Sequence, residues 1–318
     1  SVEILDGPFE GREFTGLNNP LMGQMDRDKI FRPGDTALVV LSLDAEGDVV
    51  FANPQAHYRI GLELLLLGLF AAALLAFGGW TGLKALLSFL FAAMMLWKVL
   101  VPRFLEGDDP VYLSLGVVTL LTAAIIFLVA GPTRKGLVAF LGAMLGVLSS
   151  CVLAVVFTDA LHINGATMPF IETLLYSGYG HLAVTRIYMA AVFLASSGAV
   201  MDLAMDVAAS MDEVAASHPG IGFIEALGSG LRVGRAVVGT MTTTLLLAYS
   251  GGFVTLLMAF MAQGVPLVNT FNFVYVAAEV LKTLVGSFGL VMVAPFTAAV
   301  GAAVYVWGPG RAARRAKA

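Results

Sequence analysis

Charge is scarce in this chain. Only 13% of its 318 residues are Asp, Glu, Lys or Arg, against about a quarter in ordinary soluble domains. Together with 58% hydrophobic residues and a mean hydropathy of +0.88, that scarcity excludes a soluble globular protein. The formal net charge of -4 says little about partners in a chain this apolar, and no basic run points to nucleic acid. The single cysteine, Cys151, rules out an intrachain disulfide, and inside an apolar run its ordinary role is packing. His162 and His181 have no metal-binding spacing, and no Gly-rich phosphate loop follows a strand. With no nucleophile constellation either, the expectation is a protein that is not an enzyme and needs no cofactor.

What the chain has instead is long apolar runs, each near the ~20 residues that cross a bilayer. They fall at about 59–78, 82–101, 111–130, 135–158, 184–209, 235–262 and 275–307, and the last contains Pro295. The fold class this predicts is mostly α, a polytopic membrane helix bundle with a small N-terminal extracytoplasmic β domain. Residues 1–55 read as a small barrel-like β piece. Val2-Glu3-Ile4-Leu5 alternates before Asp6-Gly7-Pro8, and Asp44-Ala45-Glu46-Gly47 turns one strand into the next. Residues 56–310 then form a seven-helix transmembrane domain, and 311–318 a basic tail.

Orientation follows from Lys and Arg. Lys84, Arg134, Lys135, Arg232, Arg235, Arg311, Arg314, Arg315 and Lys317 collect at one set of ends, against Arg59, Lys98, Arg103, Arg186 and Lys282 at the other. The larger group marks the cytoplasmic side. The expected address is the bacterial cytoplasmic membrane, with the β domain and the acidic loop Glu106-Gly107-Asp108-Asp109 outside and the C-terminus inside. Because the chain opens on Ser1 without a signal peptide, export of the β domain calls for an eighth helix upstream.

The chemistry-bearing residues stand inside the apolar runs. Asp202 and Asp206 are four apart, so a helix projects both carboxylates from one face. An acid near the bilayer centre costs at least ~2.5–3.5 kcal/mol, so such groups turn toward a bundle interior or a water path. Two carboxylates one turn apart favour a shared proton or a bound cation. With oxygens from Thr242 or Thr243 they would suit a hard cation, which makes Asp202 and Asp206 the one tentative metal site.

Arg235 opens the next run and is followed by Thr240, Thr242, Thr243 and Thr244. The bland alternative is that these hydroxyls bond their own helix carbonyls and that Arg235 snorkels to headgroups, a pair with Asp206 being closer at hand than one with Asp202. Glu279 and Lys282 are three apart, and the alternative to a transport role for Glu279 is mutual neutralisation. The candidate transport or ion-binding set is therefore Asp202, Asp206, Arg235, Thr240, Thr242, Thr243 and Glu279.

Three blocks resemble the bacterial YibE/F-like membrane proteins. They are Gly198-Ala199-Val200-Met201-Asp202 with Met205-Asp206; Gly234-Arg235 with Gly239-Thr240-Met241-Thr242-Thr243-Thr244-Leu245-Leu246-Leu247-Ala248-Tyr249; and Glu279 with Val285-Gly286-Ser287-Phe288-Gly289 and Pro295-Phe296-Thr297-Ala298. Gly7-Pro8-Phe9-Glu10-Gly11, Asn18 and Gly34-Asp35 look like that family's short β domain. Where the family often has Arg-Asp, this chain has Arg235-Ala236. The resemblance implies an eight-helix inner-membrane protein. The acidic helix is also loosely similar to one in the SecD/SecF and resistance-nodulation-division permeases, which by analogy implies proton-linked movement.

Two functions fit these residues. The first is a transporter or channel-like protein, coupled to protons or a cation through the Asp pair. Its rival is a non-transporting scaffold or accessory subunit whose polar residues knit helices together and whose β domain docks a partner. The partners called for are the lipid bilayer, a proton or small cation, and a second copy or another membrane protein.

Overall fold

The computed structural model describes residues 1–16 and 30–307. Asn18 and the basic tail 311–318 lie outside the described residues. The chain divides into two compact units, Ser1–Gly79 and Trp80–Ala318.

The first unit begins with two small antiparallel sheets. Strands β1 (Val2–Glu3) and β2 (Glu13–Phe14) form one, and β3 (Ala37–Leu43) and β4 (Val49–His57) the other. The β3–β4 hairpin turns where the sequence places a turn. Asp44 Oδ1 accepts the N–H groups of Asp48 (2.8 Å) and Glu46 (3.1 Å), which holds the four-residue reversal closed. A bridge between Gly16 and Ala52 ties the end of the first sheet to β4.

The unit ends in the first arm of α1 (Ile60–Met95), which is two helices merged across Gly79. Gly79 has φ 50° and ψ -123°, a backbone state that side-chain-bearing residues avoid. The expected spans at 59–78 and 82–101 thus fall on two arms either side of this glycine.

In the second unit the helix leaves Gly79, passes through a π-helical segment Leu96–Leu100 and ends as α2 (Val101–Glu106). There follow α3 (Pro110–Ala130), α4 (Arg134–Ala160), the short α5 (Ile171–Tyr176), α6 (Val184–Ser217), α7 (Phe223–Ser250), α8 (Val254–Ala262), α9 (Leu267–Asn272) and α10 (Val274–Trp307). Among the described residues five helices are long and apolar enough to cross a membrane, counting Ile60–Glu106 once. The pair α7 and α8, bent by 66°, makes a sixth if it is one span. The connection expected at 211–233 is mostly helical, because α6 runs on to Ser217 and α7 starts at Phe223.

Helix starts follow local chemistry. Asp109 caps α3 by accepting the N–H groups of Val111 (3.0 Å) and Tyr112 (3.2 Å), with Pro110 at the first helical position. Thr133 caps α4 in the same way through Gly136 N–H, at 3.1 Å.

Helix α10 packs against α4, α6 and α7, and the helices meet at small residues. A Cβ at Gly146 of α4 would stand 2.8 Å from Val200 and 2.9 Å from Val293. One at Gly230 of α7 would stand 2.7 Å from Met211 Sδ and 2.8 Å from Ala298, and one at Gly234 2.6 Å from Ala294 Cβ. Gly142 faces Thr297 just as closely. With no hydrophobic drive between helices in lipid, close van der Waals approach at such residues supplies the association.

Gly234→Val should therefore destabilise the bundle by about 1–3 kcal/mol, the usual range for overpacking. Thermal unfolding in detergent should show an earlier transition. Gly116→Ala, where an added Cβ meets nothing within 4 Å, should leave it in place.

Candidate functional site

The glycine contacts also fix depth. Val200 of α6 and Val293 of α10 stand level with Gly146, next to the centre of the 27-residue α4. Asp202 lies two residues beyond Val200, ~3 Å along the axis, and Asp206 six residues beyond, ~9 Å. Half a hydrocarbon core is ~15 Å. A bilayer centred on the middle of α4 would therefore enclose both carboxylates in its hydrocarbon.

The antiparallel neighbour α7 is registered by Gly234 against Val207 and Gly230 against Met211. Each step back along α6 matches a step forward along α7, so Asp206 is level with Arg235 and Asp202 with Gly239 and Thr240. Equal depth does not bring them into contact. Among the described residues there are four ion pairs, none of which includes Asp202, Asp206 or Arg235. Among the described residues no hydrogen bond reaches either carboxylate.

All three charged side chains are exposed within the chain's own packing. On α6 the exposed positions Ala195, Gly198, Asp202 and Asp206 follow one stripe, while Val200, Leu203, Ala204 and Val207 are buried on the other side. That stripe is the part of α6 left uncovered by α3, α4, α7 and α10.

The threonine row divides. Thr240 donates to Val237 O (3.0 Å), Thr242 to Val238 O (3.0 Å) and Thr244 to Thr240 O (3.1 Å). These hydroxyls are spent on their own helix. Thr243 is exposed and makes no such bond.

Glu279 belongs to a different cluster. Tyr188 Oη donates to Ala278 O at 2.6 Å, and a Cβ on Gly286 would lie 3.2 Å from Ser196 Cβ. Both pairs are ninety residues apart, so Glu279 is level with Met189, thirteen residues and ~20 Å from Asp202 along α6. The structure does not bring Glu279 to the Asp pair. Instead Glu279 pairs with Lys282 at 2.6 Å, and Lys282 Nζ sits 5.6 Å from the centroid of the Tyr249 ring.

The Tyr249 hydroxyl is buried beside Gly286 and has no hydrogen-bond partner among the described residues. This second polar cluster joins α6, α7 and α10 at the end where α6 and α10 begin. Sequence reasoning did not assign Tyr188 or Tyr249 to it. Tyr249 closes the row of hydroxyls on α7, which was the available signal; nothing marked Tyr188.

A third polar contact lies at the same end, where α3 and α6 begin. Arg186 reaches Asp109, with Nη2 2.8 Å from Oδ1 and 2.7 Å from Oδ2, and its guanidinium lies 5.8 Å from the Tyr112 ring centroid. Partial burial pushes the Asp109 carboxyl up, but the Arg186 hydrogen bond, the N–H groups of Tyr112 and Val111 and the guanidinium charge together hold it below the usual value.

A family profile described as YibE/F-like protein matches residues 66–307, from within the first arm of α1 to the end of α10. The two N-terminal sheets lie outside that match. No curated protein and no solved structure matches the chain.

Because the folded-state pKa of Asp109 is depressed, its contribution to stability is present at neutral pH and is lost as pH falls through the carboxylate range. Arg186→Gln should lower the detergent melting temperature at pH 7. The gap to wild type should close at acid pH, as the wild-type carboxylate protonates.

Proposed function

The chain belongs to the YibE/F-like family of membrane proteins, and on that footing we propose a transporter or channel-like protein coupled to protons or a small cation through Asp202 and Asp206. The observation that carries this reading is the pair itself, two carboxylates at hydrocarbon depth that find no counter-ion and no hydrogen bond among the described residues. At ~2.5–3.5 kcal/mol or more for each acid, an unpaired pair is an expensive way to join helices. A scaffold would tie Asp202 to Arg235 or to threonine hydroxyls, and the described residues make no such tie.

Among the described residues no group of three or more His, Cys, Asp and Glu is placed to hold a metal ion. A divalent ion at the pair would have to complete its shell with hydroxyls and water. That favours a proton, or a weakly held monovalent cation, as the coupling species.

In this reading, protonation removes the repulsion between the two acids and lets the uncovered stripe of α6 repack, biasing one of two arrangements of the bundle. Thr243, exposed with its hydroxyl free, is available to the moving ion, and Arg235 sets the potential at the depth of Asp206. Glu279 acts through Lys282 and Tyr249 as a separate polar station. The membrane is the bacterial cytoplasmic membrane, with the β domain outside and the C-terminus inside.

Asp202→Asn should reduce proton- or cation-dependent flux in proteoliposomes to the level of empty vesicles, while the purified variant elutes as wild type does. Flux equal to wild type in that variant would refute the assignment.

A further inference from the structure

At the end of the second unit where α3 finishes and α4 starts, an apolar groove opens between the second arm of α1 and α3. It encloses about 390 Å³ and is lined by Leu87, Ser88, Phe91, Ala124, Phe127 and Leu128. Its one polar wall, Ser88, asks nothing of an occupant, because the hydroxyl already donates to Lys84 O at 2.9 Å.

The two helices run in opposite directions. Leu100 packs with Val117 and Leu121, and Phe91 and Met95 lie against the same cluster. As α1 runs back from Phe91 to Lys84, α3 runs on from Ala124 to Ala130. Lys84, one turn below Ser88, therefore reaches the same end as the α3–α4 turn.

Phe127 carries the groove wall onto α4. Its ring would lie 3.3 Å from a Cβ on Gly136 and packs 5.6 Å from Phe140, centroid to centroid. Arg134 and Lys135 occupy the turn of α4 just ahead of Gly136, and that turn holds no acid. Two cations there oppose the positive end of their own helix dipole. Among the described residues, neither they nor Lys84 has an acidic partner within ion-pair distance.

We propose that this groove seats an acyl chain of an anionic phospholipid whose phosphodiester headgroup is held by Lys84, Arg134 and Lys135. Basic pockets between membrane helices on the cytoplasmic side take such headgroups, and the wall below them fits a hydrocarbon tail. Net negative charge is the selective feature, since a zwitterionic headgroup would add a fourth cation to three uncompensated ones.

The test uses the full chain in detergent, offered phosphatidylglycerol and phosphatidylcholine with identical tails, with native mass spectrometry reading the retained lipid. Wild type should retain phosphatidylglycerol over phosphatidylcholine by on the order of tenfold or more, given three basic groups. Lys84→Gln and the double variant R134Q/K135Q should each erode that preference. Ala124→Phe, which fills the groove and leaves the charges, should reduce retention of phosphatidylglycerol as well.

Equal retention of the two lipids by wild type would overturn the proposal, as would phosphatidylglycerol retention unchanged by either charge variant or by Ala124→Phe. A covered groove would overturn it too. In delipidated protein, Leu128→Cys should react with a membrane-soluble maleimide and lose that reactivity when phosphatidylglycerol is restored. Protection without lipid would mean that protein already occupies the site.

Discussion

The arrangement of the second unit depends on how closely α10 can approach three neighbours at once. Gly142 and Gly146 on α4, and Gly230 and Gly234 on α7, present bare backbone to Thr297, Val293, Ala298 and Ala294. Removing side chains at the crossings lets dispersion contacts accumulate over long surfaces, which is the main source of cohesion when the surrounding solvent is itself hydrocarbon. The same approach fixes the relative heights of α4, α6, α7 and α10. Those heights place Asp202 and Asp206 deep and Glu279 near one end.

Charge in this protein is sorted by depth. At the end where α6 and α10 begin, acids and bases are matched: Asp109 with Arg186, Asp108 with Arg103, and Glu279 with Lys282. Among the described residues, Asp202, Asp206 and Arg235 further in have no ion-pair partner, and neither do Lys84, Arg134 and Lys135 at the opposite end. Pairing is the cheap solution for a charge that must be near lipid, and the chain uses it for these three pairs at that end.

Hydropathy made most of the helices legible, because a run near 20 apolar residues has few other uses. Helix ends were harder to read. Polar residues at 210–217 suggest a loop, yet Met211-Asp212-Glu213-Val214-Ala215-Ala216-Ser217 continues α6, since Ala, Met and Glu are good helix formers and two charges are tolerated beyond the hydrocarbon. The spacing of Asp202 and Asp206 was correctly read as one face of a helix. Which neighbour that face meets is a tertiary fact absent from the spacing.

The sequence likewise groups Glu279 with the Asp pair, because all three are acids in apolar runs. Only the parallel register of α6 and α10 shows the ~20 Å between them. Three of the four threonine hydroxyls turn to their own carbonyls, an outcome that composition cannot distinguish from a polar path.

The π-helical segment Leu96–Leu100 has a consequence for α2. A regular helix advances about 100° per residue, so one additional residue in a turn resets the azimuth of everything after it. With that reset, Phe91 and Met95 before the segment and Leu100 and Phe104 at or after it all reach the same apolar cluster around Val117. Straightening the segment by deleting one residue would rotate α2 by a quarter turn or more, lifting Phe104 off α3.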